Sequence, residues 1–506
     1  MKIVDLNESL VVLGGGLNAL VVAIELLKAG KRVTMIEAGR SDCKAASSSE
    51  YRAFKKNFSS PKFGLKDRSF TYAGYINRTK VKAVNFKVIG SLATGGLSNL
   101  WGGDIRDYDD DDLKDFPYSK SEVASIEEDI LNLMTNYNPD GEKVVAKEVV
   151  YNFHRAGIDG RCAELIEQWG NSSENIGFDL PKLAILVNDK DDRKRCDHSD
   201  ACLVKCPNGS IFNAAYEIEK LRENPNFVHL TGVLIEDVSK SRMGYTLSAR
   251  NMIDGKEVKF SVKTIFCSLG PLSTSKLVVN LTKSVGHKLP LLSTPAASFL
   301  IFAPFKKRTN SLGSGLSTVN ANFRLKVRGY SVTGGLFPFP NDILPRKFRD
   351  QKITKYLYLL LDWLFFSRIL IATINFPSTL SSNWLIVNSK NELLVKGEPH
   401  KSSLRCVFKD TLKLLGVFFR RRGYMIMPFY RKLLEPGEDI HLGGTLPMMA
   451  EENQFGSSVR GELFGYKDFY VTDASSLPFL AAKGCSFASM VNSAYIARQY
   501  IRSSSN

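Results

Sequence analysis

The sequence predicts a mixed α/β chain (α+β overall): a Rossmann-type dinucleotide-binding domain joined to a second domain of sheet and helix. Three observations lead there. Residues 10–38 read as strand, glycine turn, helix and strand. An acidic residue, Glu37, closes the second strand. The chain has 506 residues, enough for roughly two to four domains. Hydrophobic residues make up 44% and charged residues 24%, an ordinary globular balance that excludes a disordered chain, a collagen and a disulfide-stapled miniprotein.

Val11–Leu13 is a short apolar run, as in a strand buried on both faces. Gly14-Gly15-Gly16-Leu17-Asn18-Ala19 follows and fits G-x-G-x-x-A. In that pattern Gly14 permits the tight turn, Gly16 lets the backbone approach a pyrophosphate, and Ala19 allows close packing of helix on strand. The helix N-terminus then faces the phosphates. An apolar helical segment runs to Lys28, with Gly30 as its stop and a second strand at Val33–Ile36. Glu37 stands 21 residues after Gly16, where a carboxylate accepts hydrogen bonds from an adenosine ribose. The same charge disfavours NADP. Further on, 119–136 has helical spacing and Asp109–Asp112 reads as a solvated turn. Strands are expected at 227–234, 245–250 and 258–266, a helix after Gly270-Pro271, and a terminal helix over 487–501.

The residues after this unit resemble the glucose–methanol–choline oxidoreductase family. Glu37-Ala38-Gly39, GGLSNLWGG (95–103), VKTIFCSLGPLSTSKLV (262–278), HLGGT (441–445) and YVTDASSLP (470–478) occur in that family's order and span the chain. The resemblance implies FAD as cofactor. It places Asn99 by the isoalloxazine, Val233 near the adenine and Asp473 at the ribityl–pyrophosphate region. It implies an FAD-binding domain assembled from 1–115, 206–280 and 436–506, and a substrate-binding domain from 116–205 and 281–435. The activity implied is oxidation of a CH–OH group, on a sugar, polyol or lipid-linked sugar. His441 in H-x-x-G-T matches the family's active-site histidine, and an imidazole is a good base near neutrality. Many relatives carry a second His or Asn eleven residues after the signature Asp. Counting from Asp473 lands on Gly484, so the chain departs from the pattern. Lys483 is the preferred replacement, since an ammonium can stabilise a developing alkoxide; a turn with no second catalytic group is the alternative.

Eight cysteines are present. Three form RCDHSDACLVKCPNG: Cys196, Cys202 and Cys206, spaced C-x5-C-x3-C-P. Thiolates at this spacing can converge on iron or on zinc. Zinc needs a fourth ligand, His198 or Cys162; three reduced cysteines in a loop is the plain reading. The run into CPNGSIFNAA resembles the catalytic subunits of bacterial FAD-dependent sugar dehydrogenases, which implies a [3Fe-4S] cluster on these three residues and an electron acceptor protein or quinone as partner. Cys43, Cys267, Cys406 and Cys485 lack ligand spacing and are expected in cores. The other classes left open are an oxidase or lyase of this fold without a cluster, and a non-catalytic membrane-associated binding protein.

The net charge is +16, from 68 Lys and Arg against 52 Asp and Glu. Residues 281–435 hold 25 basic and 7 acidic residues and so carry the whole excess. Inside that block, 353–376 and 412–434 are apolar and aromatic runs edged by Arg and Lys. Such segments suit an anionic membrane surface, or else the buried helices of a substrate domain. No signal peptide is visible, so the expected location is cytoplasmic, peripheral on the inner membrane face. No nucleic-acid-binding module is recognised.

Overall fold

The structure is a computed structural model and describes residues 3–39, 73–135, 157–170, 176–197, 206, 208–306, 319–339, 356 and 360–504. Cys43, Cys202 and His198 lie outside the described residues.

Five parallel strands form the central sheet, in the order Phe469–Val471, Thr264–Cys267, Leu10–Leu13, Val33–Ile36, Phe227–Leu230. Their side chains alternate between two cores. Val12, Met35 and Phe266 face helices Leu17–Lys28 and Ser486–Ser504. Val11, Leu13, Ile36, Ile265 and Cys267 face the opposite core. Burial on both faces is why these strands read as continuous apolar runs. A four-stranded sheet, Ile3–Asp5, Glu257–Val262, Gly244–Asn251, Val233–Ser241, packs into that second core.

Strands Lys288–Ser293, Asn383–Val387 and Leu393–Lys396 join Leu442–Gly443 and Val81–Val84 in another five-stranded sheet. Leu289, Leu291, Leu385, Val387, Leu393 and Val395 share a core with Val11 and Leu13. Packing therefore continues across residue 281 rather than breaking there.

The basic block supplies most of a six-stranded antiparallel sheet: Met425–Leu433, Ala296–Phe302, Ile369–Asn375, Tyr330–Pro338, Ala321–Val327, with Ile176–Asp179 at the edge. One face, with Ala297, Phe299, Ile301, Phe323, Leu325, Leu370 and Ile374, is apolar and covered by helices Ser402–Arg420 and Gly160–Trp169. The two apolar runs expected as membrane segments or buried helices thus split. Residues 369–375 are a central strand, and 402–420 an amphipathic helix whose Leu404, Val407, Leu415, Phe418 and Phe419 are buried. Among the described residues no helix is long and apolar enough to cross a membrane.

Candidate active site

The glycine turn is built as its spacing requires. Gly14 has φ +104, and a Cβ there would overlap the carbonyl of Ser268, so only glycine fits. Gly16 caps helix Leu17–Lys28 with no side-chain cap, and nothing lies within 4 Å of where its Cβ would be. That leaves an open approach to uncapped helix N–H groups, the arrangement that suits a phosphate. Gly95, with φ +91, donates its N–H to the Gly15 carbonyl at 2.7 Å and brings the 95–99 loop onto the turn. Ala19 is fully buried in the helix–sheet core.

Glu37 ends its strand with its carboxylate 4% exposed as a residue. Its Oε1 accepts from Thr94 Oγ1 at 2.9 Å and lies 2.7 Å from His229 Nε2. Oε2 remains for a ribose. Asn99 is committed to its own loop: its amide donates to the carbonyls of Thr94 and Gly96, each at 2.9 Å, and its Oδ1 accepts from Asn213 Nδ2 at 2.9 Å. Val233 begins its strand and donates its N–H to the Glu37 carbonyl at 2.8 Å. Asp473 is buried. It accepts from the Gly270 N–H at 2.8 Å, from Thr274 Oγ1 and from the Ser475 N–H at 2.8 Å. It pins helix Pro271–Leu281 to the C-terminal segment, and burial, against these hydrogen bonds, holds its carboxyl above the usual range. The open glycine turn, the free Glu37 oxygen and the braced loop fit a flavin dinucleotide.

His441 lies at the meeting point of three segments. Nδ1 is 3.1 Å from Thr294 Oγ1. Thr294 in turn donates to Asp439 Oδ2 through its N–H at 2.9 Å and is 3.1 Å from it through its hydroxyl. Ile440, between Asp439 and His441, has φ +65. For a β-branched residue this is a strained conformation, costing on the order of 1–3 kcal/mol. On the other side of the ring, a Cβ on Gly484 would stand 3.4 Å from Nε2. Gly484 is thus the residue opposite Nε2 of the imidazole, and its missing side chain leaves room there. Burial lowers the imidazole pKa to about 4, with Asp104 opposing and Arg106 adding to that effect; burial likewise raises Asp439 to about 7. Sequence reasoning missed Asp104, Arg106, Thr294 and Asp439. Only the D-x-H spacing of Asp439 and His441 was visible; Thr294 arrives from a strand end 147 residues away.

Lys483 lies beside Gly484, but its ammonium is held by Asp109 Oδ2 at 2.9 Å and by Asp112. Asp109 and Asp112 form a reciprocal capping box on helix Asp110–Leu113. The acidic run expected as a solvated turn is therefore partly a buried anchor: Asp112 is 6% exposed. Replacing Lys483 by Met strands two carboxylates, one of them buried. The expected cost is about 1–3 kcal/mol, read as a lower urea midpoint with unchanged m-value.

The second face of the six-stranded sheet turns toward this site. Ser298, Thr373, Gly335 and Asn322 are register partners along one row, and Asn375 and Thr333 along the next. Thr333 Oγ1 donates to the Ala482 carbonyl, and Arg106 Nη2 to the Gly334 carbonyl at 3.3 Å. Asn322 Oδ1 is buried without a hydrogen-bond partner among the described residues. This polar face forms a roof over the Ala482 carbonyl and Arg106.

Of the three clustered cysteines, Cys196 and Cys206 are described. Both are half-buried against a small core of Leu183, Ile185, Ile211 and Val319, beside Trp101 of the 95–103 loop. Cys206 Sγ accepts the Ser210 N–H at 3.2 Å. Cys162 belongs to the different core under the six-stranded sheet, where burial pushes its thiol well up, so it is not brought to Cys196 and Cys206. Among the described residues no group of three or more His, Cys, Asp or Glu is placed to hold a metal ion. Cys267 and Cys485 are core residues as expected; Cys406 is not, since it lies on the exposed face of helix Ser402–Arg420.

No protein-family model and no curated protein sequence matches the chain. Solved structures do. Pyridoxine 4-oxidase from Mesorbium loti superposes with a TM-score of 0.62 at 14% identity, covering 98% of this chain and 99% of that one. Formate oxidase gives a TM-score of 0.61 at 11% identity, covering 100% and 99%. At these identities the likeness is one of fold, and it extends over the full length: the chain has the mixed α/β architecture of these two oxidases, as the sequence predicts.

Proposed function

We propose that the chain is a flavin-dependent oxidoreductase of the glucose–methanol–choline type that oxidises a CH–OH group. The observation that carries this is the placement of His441: Nε2 faces an open position at Gly484, while the strand–glycine–helix unit and its covering loop are built for a dinucleotide. FAD, when bound, supplies the acceptor for the carbon-bound hydrogen. Gly14, Gly16 and Ala19 would serve its pyrophosphate, Glu37 its ribose, Val233 its adenine, and the Asn99 loop its isoalloxazine, with Asp473 bracing the segment beneath. His441 takes the hydroxyl proton at Nε2. A low imidazole pKa keeps the ring neutral across ordinary pH, so that the tautomer with its lone pair on Nε2 can accept. Lys483 anchors the turn that presents Gly484 rather than meeting the substrate.

The hydroxyl- and amide-bearing roof, with its unpaired Asn322 carbonyl oxygen, supports a polyhydroxylated substrate, a sugar or polyol. Cys196, Cys202 and Cys206 would hold a [3Fe-4S] cluster, which would supply one-electron transfer toward a protein or quinone acceptor; Cys196 and Cys206 pack against the same small core as Trp101. Purified anaerobically, the protein is expected to show flavin absorbance with about three irons per chain. Flavin without iron or sulfide would leave an oxidase.

A membrane surface is the proposed location. Phe305 is 90% exposed, and Trp363, Phe365 and Met425 are also exposed. Phe302 pairs with Met425 in the sheet and its ring meets Phe365, so these residues gather at one end of the sheet. Nearby, residues 427–430 bulge from the edge strand, because Ile426 and Arg431 pair with Ile301 and Phe299. Phe429 at the bulge is 73% exposed. Arg420, Arg421, Arg431 and Lys432 are exposed around it. Aromatic tips within a basic rim suit an anionic bilayer. The protein is expected to float with phosphatidylglycerol vesicles and not with phosphatidylcholine. Phe429→Ser with Trp363→Ser is expected to abolish flotation; unchanged binding of that variant would remove the surface from the account.

A further inference from the structure

We propose that Thr294 and Asp439 are positioning residues that fix the tautomer of His441 and carry the abstracted proton away from the site on the side opposite the substrate. The inference rests on the proposed role of His441 as base.

A threonine hydroxyl has one hydrogen to give. Thr294 Oγ1 has two partners, Asp439 Oδ2 and His441 Nδ1, each at 3.1 Å. An ionised Asp439 can only accept, so the hydroxyl hydrogen goes to it. Thr294 Oγ1 is then left as an acceptor, and Nδ1 must carry the ring proton. Nε2 is left with its lone pair, facing Gly484. The Thr294 N–H, bound to the same carboxylate oxygen at 2.9 Å, fixes the threonine, and it is fully buried. The strained backbone at Ile440 is what lets Asp439 and His441 reach one hydroxyl from a single short segment.

The arm also has an outlet. Asp439 lines a surface depression together with Ser293, Ser381, Glu398, His400 and Glu435. When Nε2 takes a proton from the substrate hydroxyl, the Nδ1 proton passes to Thr294 Oγ1, and the threonine's own proton passes to Asp439. Charge and protons balance: a neutral imidazole with the opposite tautomer, a neutral carboxylic acid, and an alkoxide at the substrate. Asp439 then loses its proton to water in the depression. Asp439 is a better resting place for the proton than the ring, since it holds a proton up to a pH of about 7 and the imidazole only up to about 4; the alkoxide itself is drawn off by loss of its carbon-bound hydrogen. The other titratable groups around the arm are Glu398, His400 and Glu435 on the depression side, and Asp104, Arg106 and Cys485 on the site side.

The direct test is nitrogen NMR of the full-length protein with bound flavin, labelled with 15N-histidine, the His441 signals being assigned by their loss in His441→Gln. No substrate is needed, so this result stands apart from whether alcohols are oxidised. Above pH 8 Nδ1 is expected to be protonated and Nε2 not. Toward pH 6 the tautomer is expected to reverse, because a protonated Asp439 donates to Thr294, which then donates to Nδ1. Asp439→Asn is expected to abolish that pH-dependent reversal. Thr294→Val is expected to give a mixture of tautomers, and Thr294→Ser to restore the wild-type pattern. A wild-type pattern in Thr294→Val, or a reversal that persists in Asp439→Asn, would overturn the proposal. Should Thr294→Val fail to fold, the Asp439→Asn series decides alone.

Discussion

His441→Gln is expected to lower the rate of flavin reduction by an alcohol roughly 10²- to 10⁴-fold, the usual worth of a positioned general base. Flavin content and melting temperature are expected to stay near wild type. Glutamine keeps most of the ring's volume and can still bond Thr294, so the neighbouring packing is preserved. The measurement is anaerobic stopped-flow with the sugar or polyol that reduces the wild-type flavin fastest. A second signature concerns pH. Because the imidazole stays neutral down to a pH of about 4, its own protonation does not set the acid limb of the wild-type profile. That limb is expected near the higher value of Asp439, about 7, with activity falling as pH drops through it. An acid limb near 4, equal in wild type and Asp439→Asn, would place control on His441 alone.

Asp473→Ala is expected to be the most damaging single change to stability away from the apolar cores. The carboxylate satisfies the Gly270 N–H, the Thr274 hydroxyl and the Ser475 N–H inside the protein. Each buried donor left unpaired costs about 1–3 kcal/mol, so the sum is on the order of 3–5 kcal/mol once relaxation is allowed. Helix Pro271–Leu281 and the segment 473–476 would lose their shared anchor. Loss of bound flavin and a melting temperature lowered by several degrees are expected together. Asp473→Asn keeps an acceptor and is expected to recover much of the stability. A stable, flavin-loaded Asp473→Ala would show that the carboxylate is dispensable.

The parts of the molecule legible in the sequence are those governed by local chemistry. The 10–38 unit needs one turn, one helix and two apolar strands, all within hydrogen-bonding range along the chain, and each appears where its pattern predicts. The helix after Gly270-Pro271 carries its own start signal, and the terminal helix, Ser486–Ser504, appears where its pattern predicts. What stayed hidden depends on long-range register. Nothing in residues 293–295 marks Thr294 as the partner of a histidine 147 positions later. The polar roof is a property of alternation across separate strands, and no single strand shows it. Lys483 was attractive as a lone cation beside the vacated position; only the folded chain brings Asp109 and Asp112 to it. The apolar runs at 353–376 and 412–434 were ambiguous because a central strand, an amphipathic helix and an interfacial segment share one composition.

Removal of hydrogen from a CH–OH group by a bound flavin and His441 has a visible signature. Sugars and polyols, free and lipid-linked, are added to the anaerobic flavoprotein and the visible spectrum is followed. Bleaching of the flavin bands by at least one of them is expected, slowed roughly 10²- to 10⁴-fold in His441→Gln and reversed by an electron acceptor. A fully flavin-loaded protein whose spectrum no alcohol bleaches, in wild type and variant alike, would contradict that chemistry.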